Sequence, residues 1–442
     1  MYESARLDLP NHATLASKRR AETPVALQLP TVIFPFLFFA ALLVYFSFKS
    51  FLGGVAYLAY FRQHLAKPSG SFTPFATVIA PCKGLDEGLR ENLTALLELD
   101  YPKYEVIFVV DDEEDPAVEE IREILNREDL GKPSSENSAS LRLRGENKLI
   151  IAPTAINSSQ KVENIREAVK QADPRSGALV FVDSDARPQT HWLRNLVGPL
   201  KNNHVGATTG YRWFLSKTPT FAGELRATWN ASIASALGPK TKSNFCWGGS
   251  MAIRREVWES LDLADRLKGT LSDDFTITRA VKDADLDIVF VPQALTPSIE
   301  NCTLTELFEF TTRQMKITRV YATPLWAMSF FGSALFCGVM ISAFLIAVFS
   351  RSNDLLVWSA IATLAIVSIL SIAKAWLRLK AVSLVITIAY KQFVPQLTLW
   401  LLTPPLFLWN CVCALFSRTI TWRGIRYKLV SATETERLDA DK

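Results

Sequence analysis

Ala178-Leu179-Val180-Phe181-Val182-Asp183-Ser184-Asp185 is the stretch that decides the fold. Five apolar residues in a row are too few for a helix and fit a strand covered on both faces, as in a parallel α/β sheet. The run stops on two aspartates separated by a serine. In open α/β sheets ligands bind at the carboxyl ends of strands, so acids placed there are pointed at a site by the topology. Two earlier runs repeat the pattern: Ala76 to Ala80 leads into Pro81-Cys82-Lys83-Gly84, and Val106 to Val110 leads into Asp111-Asp112. An amphipathic helix through Leu89, Leu93, Leu96 and Leu97 follows the first. From Phe72 to about residue 320 such short runs alternate with charged amphipathic stretches, which predicts a soluble α/β domain over 72–322. The polar stretch from Arg127 to Lys148 reads as a surface insertion.

The flanks are different in character. A 442-residue chain with 49% hydrophobic residues is too apolar for an ordinary soluble enzyme. Residues 1–30 are polar, carry Lys18, Arg19 and Arg20, and lack the core and cleavage site of a signal peptide, so they read as a tail. Residues 31–60 carry one charge, Lys49, and predict a single membrane anchor. Pro324 to Phe349 and Leu355 to Ala373 are uncharged and predict a transmembrane hairpin, and Lys374, Arg378 and Lys380 mark a return to the cytosol. Ala381 to Phe416 is split by Lys391 and interrupted by Pro395, Pro404 and Pro405, which predicts a broken or re-entrant path that completes a membrane region over 324–416. Residues 417–442 read as a basic, then polar, cytosolic tail. The expected protein is therefore a multi-pass membrane protein with its catalytic domain in the cytosol, in the inner membrane of a bacterium or the Golgi or ER of a eukaryote. A net charge of +4 gives no support to nucleic-acid binding. The six cysteines lack metal-ligand spacing and read as reduced, and the four histidines include no HExxH-like pair.

Asp112, Asp183, Asp185 and Asp274 carry the chemistry. One or two carboxylates can hold Mg²⁺ or Mn²⁺, which neutralises charge on an anionic group such as a departing diphosphate. A further carboxylate can act as a general base that takes the proton of an attacking hydroxyl. Asp274, within Leu271-Ser272-Asp273-Asp274-Phe275, is the candidate base. Taken singly, an Asp pair after an apolar run is as well read as a turn or helix cap; the ordered set is far more specific.

From about Phe75 to Leu429 the chain resembles the ceramide glucosyltransferase-like branch of the inverting glycosyltransferases. The resemblance rests on Pro81-Cys82-Lys83-Gly84 with Asp86 and Asn92, on Asp100-Tyr101-Pro102-Lys103-Tyr104-Glu105-Val106, and on Asp112 followed by Asp115-Pro116-Ala117. It continues through Asn157, Lys161 and Asn164, Asp183-Ser184-Asp185, Gly248-Gly249-Ser250-Met251, Asp274 and Trp422-Arg423-Gly424-Ile425-Arg426-Tyr427. It implies a GT-A fold, a Rossmann-like mixed sheet, flanked by transmembrane helices, a UDP-sugar donor and a membrane lipid acceptor such as ceramide, with glucose as the sugar. It further implies Asp112 near the uridine end, with Pro81, Lys83, Gly84 and Lys161 also on the donor side. Asp183 and Asp185 belong at the metal and diphosphate, Asp274 as base, and Trp247, Gly248, Gly249, Trp422 and Arg423 by the acceptor.

One departure stands out. The family pattern after the base is Arg or Gln, two residues, then Arg-Trp; here Arg313-Gln314-Met315 is followed by Lys316-Ile317. Lys316 keeps a cation without a bidentate fork. On a helix Arg313, Lys316 and Arg319 share a broad face suited to phosphates, or to snorkelling at the membrane surface. Two other readings compete: a processive polysaccharide synthase, which generally wants an intact Gln-x-x-Arg-Trp and more spanning helices, and a catalytically silent lipid-binding relative.

Overall fold

The computed structural model describes residues 29–66, 70–131, 146–350 and 354–438. The tail expected over 1–30 falls almost wholly outside the described residues. So do most of the expected insertion and the polar break after Ser350.

Seven strands form one sheet in the order β3-β2-β1-β4-β6-β5-β7. They are β1 Ala76–Pro81, β2 Tyr104–Val110, β3 Lys148–Ile151, β4 Ala178–Val182, β5 Val205–Leu215, β6 Ser250–Arg254 and β7 Asp287–Ile299. β1 to β4 are parallel, β6 is antiparallel to both β4 and β5, and β5 pairs β7 in parallel. All of β2 and β4 is buried, because helices cover both faces. Alternate residues feed the two cores: Val78, Phe108 and Val180 face the helices Leu89–Leu97 and Ala117–Gly131, while Ile79, Ile107 and Phe181 face Gln160–Lys170. The chain runs outward from β1 to β3 and then returns to the other side of β1 as β4. That reversal, between β1 and β4, is the switch point at which α/β sheets bind ligands; two of the runs predicted from sequence flank it, and the third, β2, lies next to β1.

Among the described residues, four segments are long and apolar enough to cross a membrane: Phe34–Leu65, Thr323–Phe349, Asp354–Val382 and Thr387–Phe416. The first three share a core through Phe36, Ala40, Leu43, Met340, Ala343 and Val367. Phe38, Phe46, Phe331, Phe344, Trp358 and Ile369 point outward, an apolar belt that water would not tolerate. The second helix of the expected hairpin continues past Ala373 to Val382. Its basic residues find partners there, Lys374 donating to Ser50 Oγ at 2.7 Å and Arg378 to Gln396 Oε1 at 2.8 Å.

In the proline-bearing segment 3₁₀ turns at Thr387–Gln392 and Leu399–Leu402 alternate with helices Phe393–Thr398 and Thr403–Phe416. Both of its ends rest on the α/β domain. At one end Trp213 Nε1 donates to Gln392 Oε1 at 2.8 Å; at the other Arg319 caps the carbonyls of Ala414 and Leu415. Residues 417–438 correct the expectation of a tail. They form a three-stranded antiparallel sheet, β8 Thr419–Trp422, β9 Ile425–Leu429 and β10 Thr435–Arg437. Its cause is the alternation Ile425, Tyr427, Leu429, whose buried faces join Leu271, Ile317 and Tyr321 in one core. Tyr427 Oη accepts from Gln160 N at 3.2 Å, so the sheet is docked on the α/β domain.

Candidate active site

Strand register assembles the site. Val182 of β4 pairs with Ser250 of β6, so the residues just past that pair, Asp183 and Gly249, are brought together where β4 ends and β6 begins. A Cβ on Gly249 would lie 2.5 Å from Asp183 Oδ2 and 2.2 Å from the Trp247 ring; one on Gly248 would lie 2.0 Å from Asp273 Oδ2. The two glycines are therefore demanded by the protein's own carboxylates and by Trp247, a close approach that the sequence reading had assigned to substrate.

Asp183 and Asp185 are both held by Arg212. Its Nη2 lies 2.9 Å from Asp183 Oδ2 and its Nη1 3.1 Å from Asp185 Oδ2. Lys161 completes the grip, 2.7 Å from Asp183 Oδ1 and 3.4 Å from Asp273 Oδ2. Burial works against the Asp183 charge, but Lys161 and Arg212 outweigh it and hold its carboxyl below the usual range. Burial pushes Asp185 up, Arg212 pulls it back only in part, and Asp183 adds to the rise. Asp185 Oδ1 is buried and has no hydrogen-bond partner among the described residues. Two carboxylates at a strand end, one with an unused buried oxygen, fit a hard divalent cation that takes its remaining ligands from diphosphate and water.

Asp274 lies one residue inside the helix Asp273–Asp283, which Ser272 caps. Its Oδ1 accepts from Phe275 N at 2.7 Å and from the Ser272 hydroxyl, while Oδ2 makes no hydrogen bond among the described residues. Burial first, then the charge of Asp273, push the Asp274 carboxyl up to about 6. Tyr321 fixes the loop before it, its Oη accepting from Leu271 N at 2.8 Å and Ser272 N at 3.3 Å.

Lys83, Asp86, Lys161, Asp183, Asp185, Arg212, Asp274, Arg313, Trp422 and Arg423 line one cavity of about 1110 Å³, which reaches Leu325, Ser329 and Phe407 on the membrane-side helices Thr323–Phe349 and Thr403–Phe416. Pro81 and Trp247 also line it. Arg313 sits 5.8 Å from the Trp422 ring centroid, and burial, reinforced by the nearby Arg212 and Arg423, lowers it to about 10. Arg423, at the tip of the β8–β9 hairpin, reaches across to Asp86, with Nη2 2.8 Å from Oδ2.

The structure does not gather every predicted residue. Lys316 turns from the cavity to the Thr419 carbonyl at 2.8 Å, and Arg319 caps the helix Thr403–Phe416, so only Arg313 of the three cations lines the cavity. Asp112 is exposed and closes a turn, accepting from Glu114 N at 3.0 Å; its neighbour Asp111 takes the Lys83 ion pair at 2.9 Å. Gly84, with φ 66°, gives its N–H to Asp115 at 2.9 Å and does not line the cavity. Ile317, standing where the family pattern has Trp, is buried with Leu271, Tyr427 and Leu429, while Trp422 supplies an aromatic face beside Arg313. Arg212 was missed by the sequence reading. Its signal was a lone charge inside the otherwise uncharged strand Val205–Leu215.

The mixed sheet in this order, with paired aspartates at its switch point, is a GT-A fold. The match to the family described as Glycosyl transferase family 21 covers residues 42–435, and the chain belongs to that family. Among solved structures it is similar to a mannosyltransferase from Pyrobaculum calidifontis in complex with GDP-Man and Mn²⁺, at 19% identity over 86% of this chain and 99% of that one, with a TM-score of 0.46. It is also similar to GalNAc-T7 with UDP, GalNAc and Mn²⁺, at 12% identity over 52% and 44% of the two chains, TM-score 0.36. A third is the glucosyl-3-phosphoglycerate synthase of Mycobacterium tuberculosis in complex with phosphoglyceric acid, at 16% identity over 55% and 78%, TM-score 0.29.

Proposed function

We propose that the protein transfers a single hexose, glucose from UDP-glucose, to the hydroxyl of a membrane lipid such as ceramide, with inversion at the anomeric carbon. The observation that carries this reading is the single cavity joining the carboxylates Asp183, Asp185 and Asp274 to apolar residues of the membrane-side helices. A lipid hydroxyl can enter from that side while a nucleotide diphosphate occupies the end lined by Lys83, Lys161, Arg212 and Arg423.

Each group has a task. Asp274, with one oxygen fixed by Ser272 and Phe275 N and the other free, takes the proton as the acceptor oxygen attacks the anomeric carbon and the bond from that carbon to the diphosphate breaks. The cations receive the negative charge that moves onto the leaving UDP, and Trp422 beside Arg313 walls the acceptor side. Asp183 and Asp185 are the residues that would hold Mg²⁺ or Mn²⁺, which when bound neutralises charge on the diphosphate.

The test is UDP release from detergent-solubilised protein supplied with UDP-glucose, with and without a lipid extract, followed by mass spectrometry of the product. Lipid-dependent release with a monohexosyl lipid supports the reading. Release without any acceptor lipid, yielding a polymer, or no release at all would replace it with the synthase or the silent relative.

A further inference from the structure

Arg212 presents a problem that the transfer reaction alone does not solve. The residues best placed to hold a divalent cation are already held, because one guanidinium spans both Asp183 and Asp185 with a fork across Oδ2 of each. A planar fork matches two carboxylate oxygens in a way that a lysine ammonium cannot. Lys161 sits on the opposite oxygen of Asp183 and is shared with Asp273 at 3.4 Å, so in the absence of substrate three carboxylates already face two cations. A bare divalent ion entering that buried set would turn it net positive, and uncompensated buried charge is costly. A nucleotide diphosphate entering alone would add negative charge to a set that is already net negative. Together the two ligands offset each other.

The strand that carries Arg212 is built to aim it. Between Thr209 and Tyr211 the register of β5 against β7 shifts, and a Cβ on Gly210 would lie 1.9 Å from the Ala294 carbonyl oxygen. The extra residues lie on β7, where Phe290 to Leu295 faces the two-residue step Thr209 to Tyr211 just before Arg212, and Gly210 leaves room for them. The guanidinium then lies 4.9 Å from the Trp247 ring centroid and 5.1 Å from that of Phe214. Two aromatic faces give the cation a slot in which it can shift its fork without losing its surroundings. Asp185 Oδ1, buried and unpartnered, is the coordination position Arg212 leaves unused.

We propose that Arg212 is a resident place-holder for the divalent cation. It holds Asp183 and Asp185 in the donor-free protein and gives them up to the metal only when a nucleoside diphosphate arrives to take the guanidinium charge, so that metal and donor bind interdependently. This rests on the reading that a metal and a diphosphate meet at Asp183 and Asp185. Arg212 is in this sense a positioning residue, acting on the carboxylates as well as on the leaving group.

The experiment is Mn²⁺ binding to the purified full chain, followed by electron paramagnetic resonance of free Mn²⁺, with and without UDP, for the wild type, Arg212→Gln and Arg212→Lys. For the wild type, UDP should tighten Mn²⁺ binding about tenfold or more, and Mn²⁺ should tighten UDP binding by the same factor, since linkage is reciprocal. In Arg212→Gln the carboxylates are freed: Mn²⁺ should bind without UDP about tenfold more tightly than to the wild type, and the coupling should shrink to within roughly threefold. Arg212→Lys keeps the charge without the fork and should fall between, which decides the matter if the glutamine variant does not fold. Unchanged UDP-free Mn²⁺ affinity in a folded variant would overturn the place-holder while leaving the donor reading intact. Absence of any Mn²⁺-dependent UDP binding by the wild type would overturn both.

Discussion

Asp274 is set apart from its neighbour Asp273 by its surroundings. Both line the cavity, but Asp273 faces Lys161 at 3.4 Å, whereas Asp274 has one oxygen without a hydrogen bond or ion pair among the described residues. With its carboxyl raised to about 6 by burial and by Asp273, Asp274 acting as the proposed base would be ionised and competent above that pH and should lose function as pH falls through about 6. Asp274→Asn should lower kcat by roughly a hundredfold or more while leaving UDP binding within about twofold, and should abolish the acidic limb of the pH profile. Rates near wild type, with the limb retained, would remove Asp274 from the mechanism. Asp185→Ala should raise the Mn²⁺ concentration needed for half-maximal UDP binding by about tenfold or more, read in a metal titration with chelated controls. Full UDP affinity in excess chelator would argue that Lys83, Lys161 and the arginines hold the diphosphate unaided.

At the scale of single elements, the site depends on where strands end and where they bend. β6 runs against β4, and this antiparallel step alone returns the chain at Trp247-Gly248-Gly249 to the acids of β4. Gly210 lets the bulge of β7 come against β5. Gly210→Ala should therefore destabilise the protein by roughly 3 kcal/mol, because the Ala294 carbonyl has no room to move without breaking the pairing of β5 with β7. The check is a thermal melt in detergent, and a melting temperature within a degree of wild type would show that the strands can part. The broken segment before Phe416 was legible as broken from Pro395, Pro404 and Pro405. Its 3₁₀ turns were not, since they depend on Trp213 and Gln392 meeting across the domain boundary.

For the whole molecule, the docked sheet β8–β10 constrains topology. Gln160 N bonds Tyr427 Oη, and Arg437 donates to the Ala155 carbonyl at 3.2 Å, so residues 419–437 share a side with the α/β domain. We therefore propose that the segment from Thr387 to Phe416, both ends of which rest on that domain, makes no net crossing, although its length and hydropathy would allow one. Single cysteines at exposed Lys242 and Glu436 should react with a membrane-impermeant maleimide only after cytosolic access is opened, while native cysteines set the background. Opposite behaviour of the two sites would break both the topology and the lateral entrance for lipid.

Local pattern determined a good part of this protein by itself. Unbroken apolar runs ending in acids marked β2 and β4, because strands buried on both faces read as continuous hydrophobic stretches and their ends face ligand. The long uncharged stretches marked the membrane helices for the equally local reason that lipid admits no unpaired charge. Only the tertiary structure decided that Arg212 grips the paired aspartates, that Arg423 meets Asp86 across 337 residues, and that Lys316 serves a carbonyl. It also decided that residues 419–437 are a sheet rather than a tail. These outcomes depend on which distant groups share a buried space, and a charge gains more from one well-placed partner there than from anything its sequence neighbours offer.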